Sequence, residues 1–291
     1  MRHAWLILAH NEFAVLQHLV SLLDDARSDF YLHFDAKVKE LPSISAERGR
    51  LIILKDRIDV RWGTVSQLQA ELLLLETAHQ SGPYAHYHIL SGVHLPLKPF
   101  NELVQFYDGH SGEEIVRFWP EDAGDADFKL RRFHFPIQNF KNPVPWRRNL
   151  CQKAWTAVLK VQKVLGIRHL RSCSFWKTDQ WLSVTEAACS HLVRHKDSIL
   201  KKYRRAFCPD EYFVASELLS HRDKPFKFYD CQQLLFVEFD RESPKLIPLS
   251  ELETLRKTPY WWARKFTGRD AEIVRTHHGA TRTDPFIKII Q

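Results

Sequence analysis

Two adjacent carboxylates, in the sequence CPDEYF at residues 208–213, have the side chains and the setting to do acid–base chemistry. Pro209 suits the first position of a helix, and Tyr212, Ala215, Leu218 and Leu219 follow at helical spacing. A helix N-terminus favours the charged form of a carboxylate, so Glu211 would be ready to accept a proton if it faces a cavity. That describes a general base. The alternative is that Asp210 and Glu211 only complement the helix dipole, as acidic residues in first turns commonly do.

A pair of adjacent cations forms the second candidate group. Arg264 and Lys265 stand in the aromatic sequence YWWARKF at residues 260–266. Cations in such a setting are costly to desolvate without an anion. The segment therefore suggests phosphate binding.

The elements that would position these groups begin with a strand, a helix and a strand. Residues 5–9 read as a buried strand, apolar residues from Phe13 to Leu23 follow helical spacing, and a second strand at residues 30–34 ends at Asp35. This order opens a parallel sheet, whose ligands bind at the carboxyl ends of strands. His10 and Asp35 lie at such ends. Asp35 would accept hydrogen bonds from a ribose or a base, or it would only cap the next turn.

Further strands are predicted at residues 51–54, 87–90 and 115–119, and a short one at 181–184. A helix capped by Thr64 or Ser66 should bury Leu68, Leu72, Leu75 and Ala78. The basic, proline-containing segment 135–148 reads as a long surface loop, either a lid or an acceptor-binding insertion. A helix from about Leu150 would pack on the sheet as an ordinary amphipathic helix or lie on an anionic membrane surface.

Composition favours one ordered globular domain. The chain has 291 residues, with 44% hydrophobic and 12% aromatic content. Its opening apolar run is too short for a signal peptide, and no stretch approaches a membrane span, so we expect the protein to stay in the compartment where it is made. The five cysteines are widely spaced, which argues against a zinc site or a disulfide framework and for reduced thiols.

Net charge is +7, and the excess is concentrated in two places, residues 131–171 and 201–205. Such patches suit an anionic partner, which could be a phosphorylated substrate, an acidic lipid surface or nucleic acid. A solvated basic face without a partner is the alternative.

The order of these motifs resembles glycosyltransferase family 14, the core-2/I-branching β-1,6-N-acetylglucosaminyltransferases and peptide O-xylosyltransferases. The matching segments run from about residue 5 to residue 266, and seven of them occur in the family's order. They are LAH at 8–10, HFD at 33–35, WGTVS at 62–66, LSGVHLPLK at 90–98, QWLSVT at 180–185, PDEYF at 209–213 and WARKF at 262–266.

The resemblance implies an α/β fold of the GT-A (Rossmann-like) type, with a mixed central sheet flanked by helices. We expect a single domain over residues 1–291, with a nucleotide-binding half at about 1–120 and an acceptor and catalytic half at about 121–291. It also implies inverting transfer from a UDP-sugar without a cofactor or a divalent metal. Glu211 would be the base, and Arg264 and Lys265 would take the diphosphate in place of a metal ion.

The other family positions imply substrate contacts. Ala9, Asp35, Arg61 and Trp62 would hold the uridine, with Ser243 as a weaker donor-site candidate. Asp210, Gln180, Trp181 and His94 would border the sugar and the acceptor.

Four features depart from the family's pattern or resemble a motif of another kind. His94 stands where many members have aspartate, so the donor or acceptor contact of that aspartate is not carried over to this chain. Gln180 stands where the xylosyltransferase branch has aspartate, which argues against xylose as donor. The sequence Asp125, Ala126, Asp127 mimics the metal-binding Asp-x-Asp motif, but we interpret it as a solvated loop. The lack of an N-terminal anchor fits a cytoplasmic enzyme of bacterial type, soluble or peripheral on the inner face of the plasma membrane.

We therefore expect transfer of N-acetylglucosamine, or another sugar, to a glycan or lipid-linked glycan. Alternatives are a UDP-xylose-dependent xylosyltransferase, a catalytically silent nucleotide- or carbohydrate-binding relative, and a basic nucleic-acid-binding protein, for which no reading motif is recognisable.

Overall fold

A mixed sheet of seven strands organises the chain, and its strand ends carry several of the predicted site residues. The computed structural model describes residues 1–221, 226–240 and 243–269. The strands are β1 His3–Ala9, β2 Ser28–Phe34, β3 Arg50–Ile53, β4 Tyr87–Ser91, β5 Leu95–Pro96, β6 Glu113–Val116, β7 Ser183–Val184, β8 Lys227–Asp230, β9 Leu235–Phe236, β10 Phe239–Asp240, β11 Ser243–Pro244, β12 Ile247–Pro248, β13 Trp262–Ala263 and β14 Phe266–Thr267.

The helices lie on the faces and edges of this sheet. They are α1 Phe13–Leu23, α2 Ser66–His79, α3 Phe100–Gly109, α4 Ala123–Arg131, α5 Pro145–Val164, α6 Glu186–Arg194, α7 Lys196–Tyr203, α8 Phe213–Leu219 and α9 Leu252–Leu255, with 3₁₀ turns at Pro209–Glu211 and Leu249–Glu251.

The main sheet has the strand order β3-β2-β1-β4-β7-β6-β8. β1 pairs in parallel with β2 and β4, and β2 pairs in parallel with β3. β7 runs antiparallel to β4 and β6, whereas β8 is parallel to β6. The expected α/β fold with a mixed central sheet flanked by helices is confirmed.

The first half of the chain folds as its apolar pattern predicts. β1 and β2 are buried along nearly their whole length, as strands covered on both faces should be. α2 buries Leu68, Leu72, Leu75 and Ala78, the predicted face. The predicted cap is wrong, because Val65 occupies the N-cap position. The hydroxyls of Thr64 and Ser66 instead bond each other and the backbone of Arg61, so they fix the turn that carries Trp62.

The second half departs from the prediction at several elements. α5 starts at Pro145, inside the segment expected to be a loop, and places that proline at its first position. The expected solvated loop around Asp125 is wrong, since Asp125 and Asp127 lie in α4, which Asp122 caps by accepting from the N–H groups of Gly124 and Asp125. The fifth strand ends at Val116 rather than at Trp119.

In the described residues, the main hydrophobic core extends from Ala4 to Phe266, and a smaller cluster contains Ile137, Phe207 and Cys208 with Trp155 packed against it. All five cysteines are free, and four of them are buried. Within the described part of the chain, no helix is both long and apolar enough to cross a bilayer. A single domain over residues 1–291 stays a prediction, and residues 270–291 lie outside the described ranges.

Candidate functional site

The ends of β1 and β2 are joined to each other and to a lysine. The Asp35 N–H donates to the Ala9 carbonyl at 2.9 Å. One carboxylate oxygen of Asp35 accepts from the Lys37 backbone N–H at 2.8 Å, and the other accepts from Lys37 Nζ at 2.7 Å. The turn-capping role of Asp35 is therefore present, and a nucleoside contact would require Lys37 to release one oxygen.

Arg61 is engaged in the same way. Its guanidinium lies 2.7 Å from Asp59 Oδ2 and donates to the Gln138 carbonyl at 3.1 Å. Lys37 Nζ also lies 2.9 Å from Asp59 Oδ1. We call Asp35, Lys37, Asp59 and Arg61 the strand-end cluster, in which each charge has an opposite charge beside it.

Trp62 follows Arg61 and is partly exposed. Lys141 Nζ lies 3.6 Å from the centroid of its ring, and the ring of Phe207 meets it edge-on. Gly63 has φ +74°, and a Cβ there would lie 2.8 Å from the Phe207 ring, so glycine is required at this turn. A planar ring that stacked on Trp62 would have to displace Lys141 or use the opposite face of the indole.

Arg264 and Lys265 lie between β13 and β14. The Arg264 guanidinium carbon is 4.7 Å from the Trp181 ring centroid, and its buried Nε has no hydrogen-bond partner among the described residues. Burial lowers the pKa of Arg264 to about 10, against the opposing influence of Asp179 and Asp210.

A positive field surrounds this pair of cations. Burial lowers the pKa of Lys265, and Arg264 and Lys141 lower it further. Burial and then Lys265 lower the pKa of His10, which follows β1. A bound anion would stabilise the protonated, positively charged forms of Arg264, Lys265 and His10.

Two carboxyls, those of Asp210 and Glu71, are buried, and Asp210 is influenced by the charge of Arg264. Asp210 accepts from Gln67 Nε2 at 3.3 Å through Oδ2, while Glu71 accepts from Gln180 Nε2 at 2.6 Å through Oε1. Within the described residues, Asp210 Oδ1 and Glu71 Oε2 have no partner. Burial and then Glu211 raise the pKa of Asp210 to about 7, and burial and then Asp210 raise the pKa of Glu71 well above its usual value.

His94 is buried against the ring of Trp181. Its Nδ1 lies 2.7 Å from Ser91 Oγ, its ring centroid is 4.9 Å from that of Trp181, and its Nε2 has no partner in the described part of the chain. Burial and then Arg264 lower the pKa of His94 well below its usual value, so the ring is neutral. We call Glu71, His94, Asp210 and Arg264 the inner cluster.

Glu211 lies in a 3₁₀ turn and not in the first turn of an α-helix. Tyr212, with φ −131°, separates this turn from α8, so the expected helix-dipole argument is wrong here. Lysines stabilise the carboxylate instead, with Lys129 Nζ at 2.7 Å and Lys177 Nζ at 3.6 Å from Oε2. The side chain is 32% exposed.

These lysines are functional candidates that sequence reasoning missed. Both also contact Asp125, at 2.7 Å for Lys177 and 3.2 Å for Lys129, and Tyr212 donates its hydroxyl to Asp125 at 2.6 Å. The only local signal was the spacing of Asp125 and Lys129, four residues apart on one helix.

Three other expected contact residues have defined positions. The side-chain amide of Gln180 donates a hydrogen bond to Glu71. Its neighbour Trp181 is buried against Arg264 and His94. Ser243 is exposed on β11, where it pairs with Asp240. The substrate contacts expected of these three residues stay predictions.

Comparison with known proteins identifies one family. The model of the core-2/I-branching enzyme family matches residues 3–225. No curated protein sequence matches the chain.

Two solved structures show a weak likeness to this chain. Mouse xyloside xylosyltransferase 1 in its apo form gives a TM-score of 0.38 at 11% identity, covering 91% of this chain and 97% of that one. HddC from Yersinia pseudotuberculosis gives 0.25 at 12% identity, covering 46% of this chain and 65% of that one. Likenesses at these scores carry no conclusion about this chain.

Proposed function

Because the chain belongs to the core-2/I-branching enzyme family and is a glycosyltransferase, we propose that it moves a sugar from a UDP-sugar to a glycan or lipid-linked glycan. Transfer inverts the anomeric centre and uses no divalent metal, and N-acetylglucosamine is the favoured sugar. The observation that supports this most is the carboxylate of Glu211, which is 32% exposed to solvent and next in sequence to the buried Asp210, whose pKa both Glu211 and Arg264 influence.

Glu211 acts as the base in this proposal. Lys129 and Lys177 both contact Oε2, which leaves Oε1 to accept the proton of the acceptor hydroxyl. The acceptor oxygen then bonds to the anomeric carbon, the bond from that carbon to the diphosphate oxygen breaks, and UDP leaves with the electron pair. Two lysines on one oxygen also fix the direction of the carboxylate.

Arg264 and Lys265 stabilise the departing diphosphate. The stacking of Arg264 on Trp181 orients a planar guanidinium that can bond two phosphate oxygens. Negative charge grows on the diphosphate as the sugar leaves, so fixed cations there favour the transition state over the ground state.

The two aspartates that resemble a metal-binding motif support a transfer reaction without a metal ion. Asp125 is engaged by Lys177 and Lys129. Asp127 lies 3.3 Å from Arg132 and 3.2 Å from Arg168. Cations already occupy both carboxylates.

Uridine binding is assigned to the turn beside the strand-end cluster. Trp62 would stack on the base, while Ala9, Asp35 and Arg61 surround the ribose. Asp210 and the Gln180–Trp181 wall would border the transferred sugar, and Ser243 remains a donor-site candidate.

A UDP-release assay over a panel of UDP-sugars, with and without oligosaccharide acceptors, tests the proposal. We expect release that depends on the acceptor and a β-linked product by NMR, since the UDP-sugars are α-linked. UDP binding without turnover on any donor would favour a silent relative. An α-linked product would exclude inversion.

A further inference from the structure

Helix α5 has two apolar faces, and among the described residues one is packed and the other is exposed. Trp155 lies on the inner face, with its ring centroid 5.0 Å from that of Phe140 and 5.6 Å from that of Phe207. Cys151, also on this face, donates its thiol to the Pro136 carbonyl. This face explains why the helix folds against the rest of the protein.

The outer face carries a second apolar row that faces solvent. Trp146 is 63%, Leu150 62%, Val161 55% and Val164 85% exposed, and Ala157 between them is also exposed. Their spacing of three, four or seven residues places them on one side of a helix. The row runs the length of α5, about 30 Å at 1.5 Å per residue. An exposed apolar row of this length marks an interaction surface rather than an ordinary solvated face.

The charges along the row identify the partner. α5 contains Arg147, Arg148, Lys153, Lys160 and Lys163 and no aspartate or glutamate. In the described ranges, none of these cations has a carboxylate within ion-pair distance. Lysine and arginine beside tryptophan, leucine and valine on one helix are typical of helices that lie in a bilayer interface. A second copy of the same face would instead bring Lys153 and Lys160, which flank the row, against the same lysines, which is unfavourable.

We propose that α5 lies in the headgroup region of an anionic lipid bilayer, with Trp146, Leu150, Val161 and Val164 inserted and the cations on the lipid phosphates. Anionic headgroups supply the counter-charge, and the acyl boundary takes the apolar row.

The position of α5 relates this surface to the candidate site. The inner face contacts Phe207, which directly precedes the turn that carries Asp210 and Glu211. Phe140, packed on Trp155, also contacts Trp62. The bilayer would thus lie about one helix diameter, ~10 Å, from the wall of the site. A lipid-anchored saccharide could serve as acceptor there; that step rests on the proposed function, whereas bilayer binding does not.

Vesicle sedimentation of the full chain tests the proposal. We expect binding to phosphatidylcholine vesicles containing roughly 30% phosphatidylglycerol that exceeds binding to pure phosphatidylcholine by at least tenfold and weakens with salt. The triple variant Trp146→Ser, Leu150→Ser, Val161→Ser should lose most of this binding. Its control, Leu41→Ser with Phe239→Ser, removes exposed apolar side chains elsewhere and should bind as the parent does.

The charge contribution has its own variants. Lys153→Glu, Lys160→Glu and Lys163→Glu together should lower partition to the anionic vesicles by roughly a hundredfold. The same change at the exposed Lys39, Lys55 and Lys257 is the control and should lower it much less.

Three results would overturn the proposal. They are equal binding to neutral and anionic vesicles, vesicle binding that the serine variant retains, and self-association in solution that the serine variant abolishes. UDP affinity measured without lipid should be the same in all these variants. A protein that binds vesicles but no UDP would contradict the proposed function and leave this inference standing.

Discussion

The strand-end cluster and the inner cluster both contain several ionisable side chains, but they differ in whether the polar atoms of those side chains have partners. In the strand-end cluster, Asp35 and Asp59 lie 2.7 to 2.9 Å from Lys37 and Arg61. In the inner cluster, Asp210, Glu71, His94 and Arg264 each keep a buried polar atom without a partner in the described part of the chain. The first group is complete without a ligand, and the second is not.

The difference indicates where ligand binding energy should come from. Lys37, Asp59 and Arg61 are exposed, and ion pairs between such groups contribute only about 0 to 1 kcal/mol. With Asp35 as its buried member, the strand-end cluster mainly holds the turn in place. A buried polar atom left unpaired costs about 1 to 3 kcal/mol, which a ligand can recover by bonding to it. The inner cluster is therefore the part of the site that a phosphate or a sugar hydroxyl would complete.

The largest effect is expected at Glu211, which lies beside the inner cluster. Glu211→Gln removes the base while preserving shape, so the transfer rate should fall by about 10²- to 10⁴-fold with UDP affinity unchanged. Glu40→Gln, on the exposed surface, is the control. A retained rate in Glu211→Gln, with loss in Asp210→Asn, would move the base to Asp210.

Arg264→Ala should weaken UDP binding by roughly 10- to 150-fold, because one charge-assisted contact contributes about 1.5 to 3 kcal/mol. Calorimetric titration measures this directly. Lys257→Ala removes an exposed lysine and should leave the affinity unchanged. Equal affinity in Arg264→Ala and the parent would remove this guanidinium from the diphosphate site.

Asp210→Asn should change how stability depends on pH. The folded-state pKa of Asp210, about 7, lies above the unfolded value, so folding is favoured at low pH and this contribution is lost as pH rises through 7. We compare the free energy of unfolding of the variant with that of the parent at two pH values. The difference, variant minus parent, should be roughly 1 to 3 kcal/mol more positive at about pH 8 than at about pH 5. Denaturant unfolding at both pH values checks this, and a parallel pH dependence in the two proteins would contradict it.

Gly63→Ala tests the turn that joins the two clusters. The new Cβ would meet Phe207 at 2.8 Å in a left-handed conformation, and the variant should lose about 1 to 3 kcal/mol of stability. Gly112→Ala is the matched control, since Gly112 also has positive φ, +83°, but has nothing within 4 Å of its Cβ position. The control isolates the backbone cost, about 1 kcal/mol. Equal losses would mean that the contact with Phe207 is unimportant.

The smallest effect is expected for Arg61→Ala. Because Arg61 is already paired with Asp59, its removal should change UDP affinity by less than about 1 kcal/mol. A loss as large as that in Arg264→Ala would reverse the comparison and place the diphosphate at the strand ends.

The sequence predicts the fold wherever one buried face repeats at a regular period. β1, β2, α1 and α2 follow from this pattern, and so does the α/β class. The pair Asp210 and Glu211 stands out because two acids directly follow a proline and precede an apolar helix.

Contacts between distant residues could not be predicted in this way. Lys129 lies 82 residues from Glu211 in the chain, and its ion pair depends on how α4 packs beside the 3₁₀ turn. Glu71 sits among leucines, where periodicity marks the buried face but not the partner of its carboxyl. The local sequence around Asp125 predicts a loop. The structure has a helix there, because Asp122 caps its N-terminus.

The outer face of α5 shows the same limit. Its spacing predicted an amphipathic helix, but only the packed structure separates the row around Trp155 from the row around Trp146.

In the proposed site, protein cations rather than a metal ion hold the diphosphate. Titration of UDP into the protein, first in excess EDTA and then in excess Mg²⁺, tests it most directly. We predict the same affinity under both conditions, and a weaker one in Arg264→Ala under both. Binding that disappears in EDTA and returns with Mg²⁺ would contradict the account.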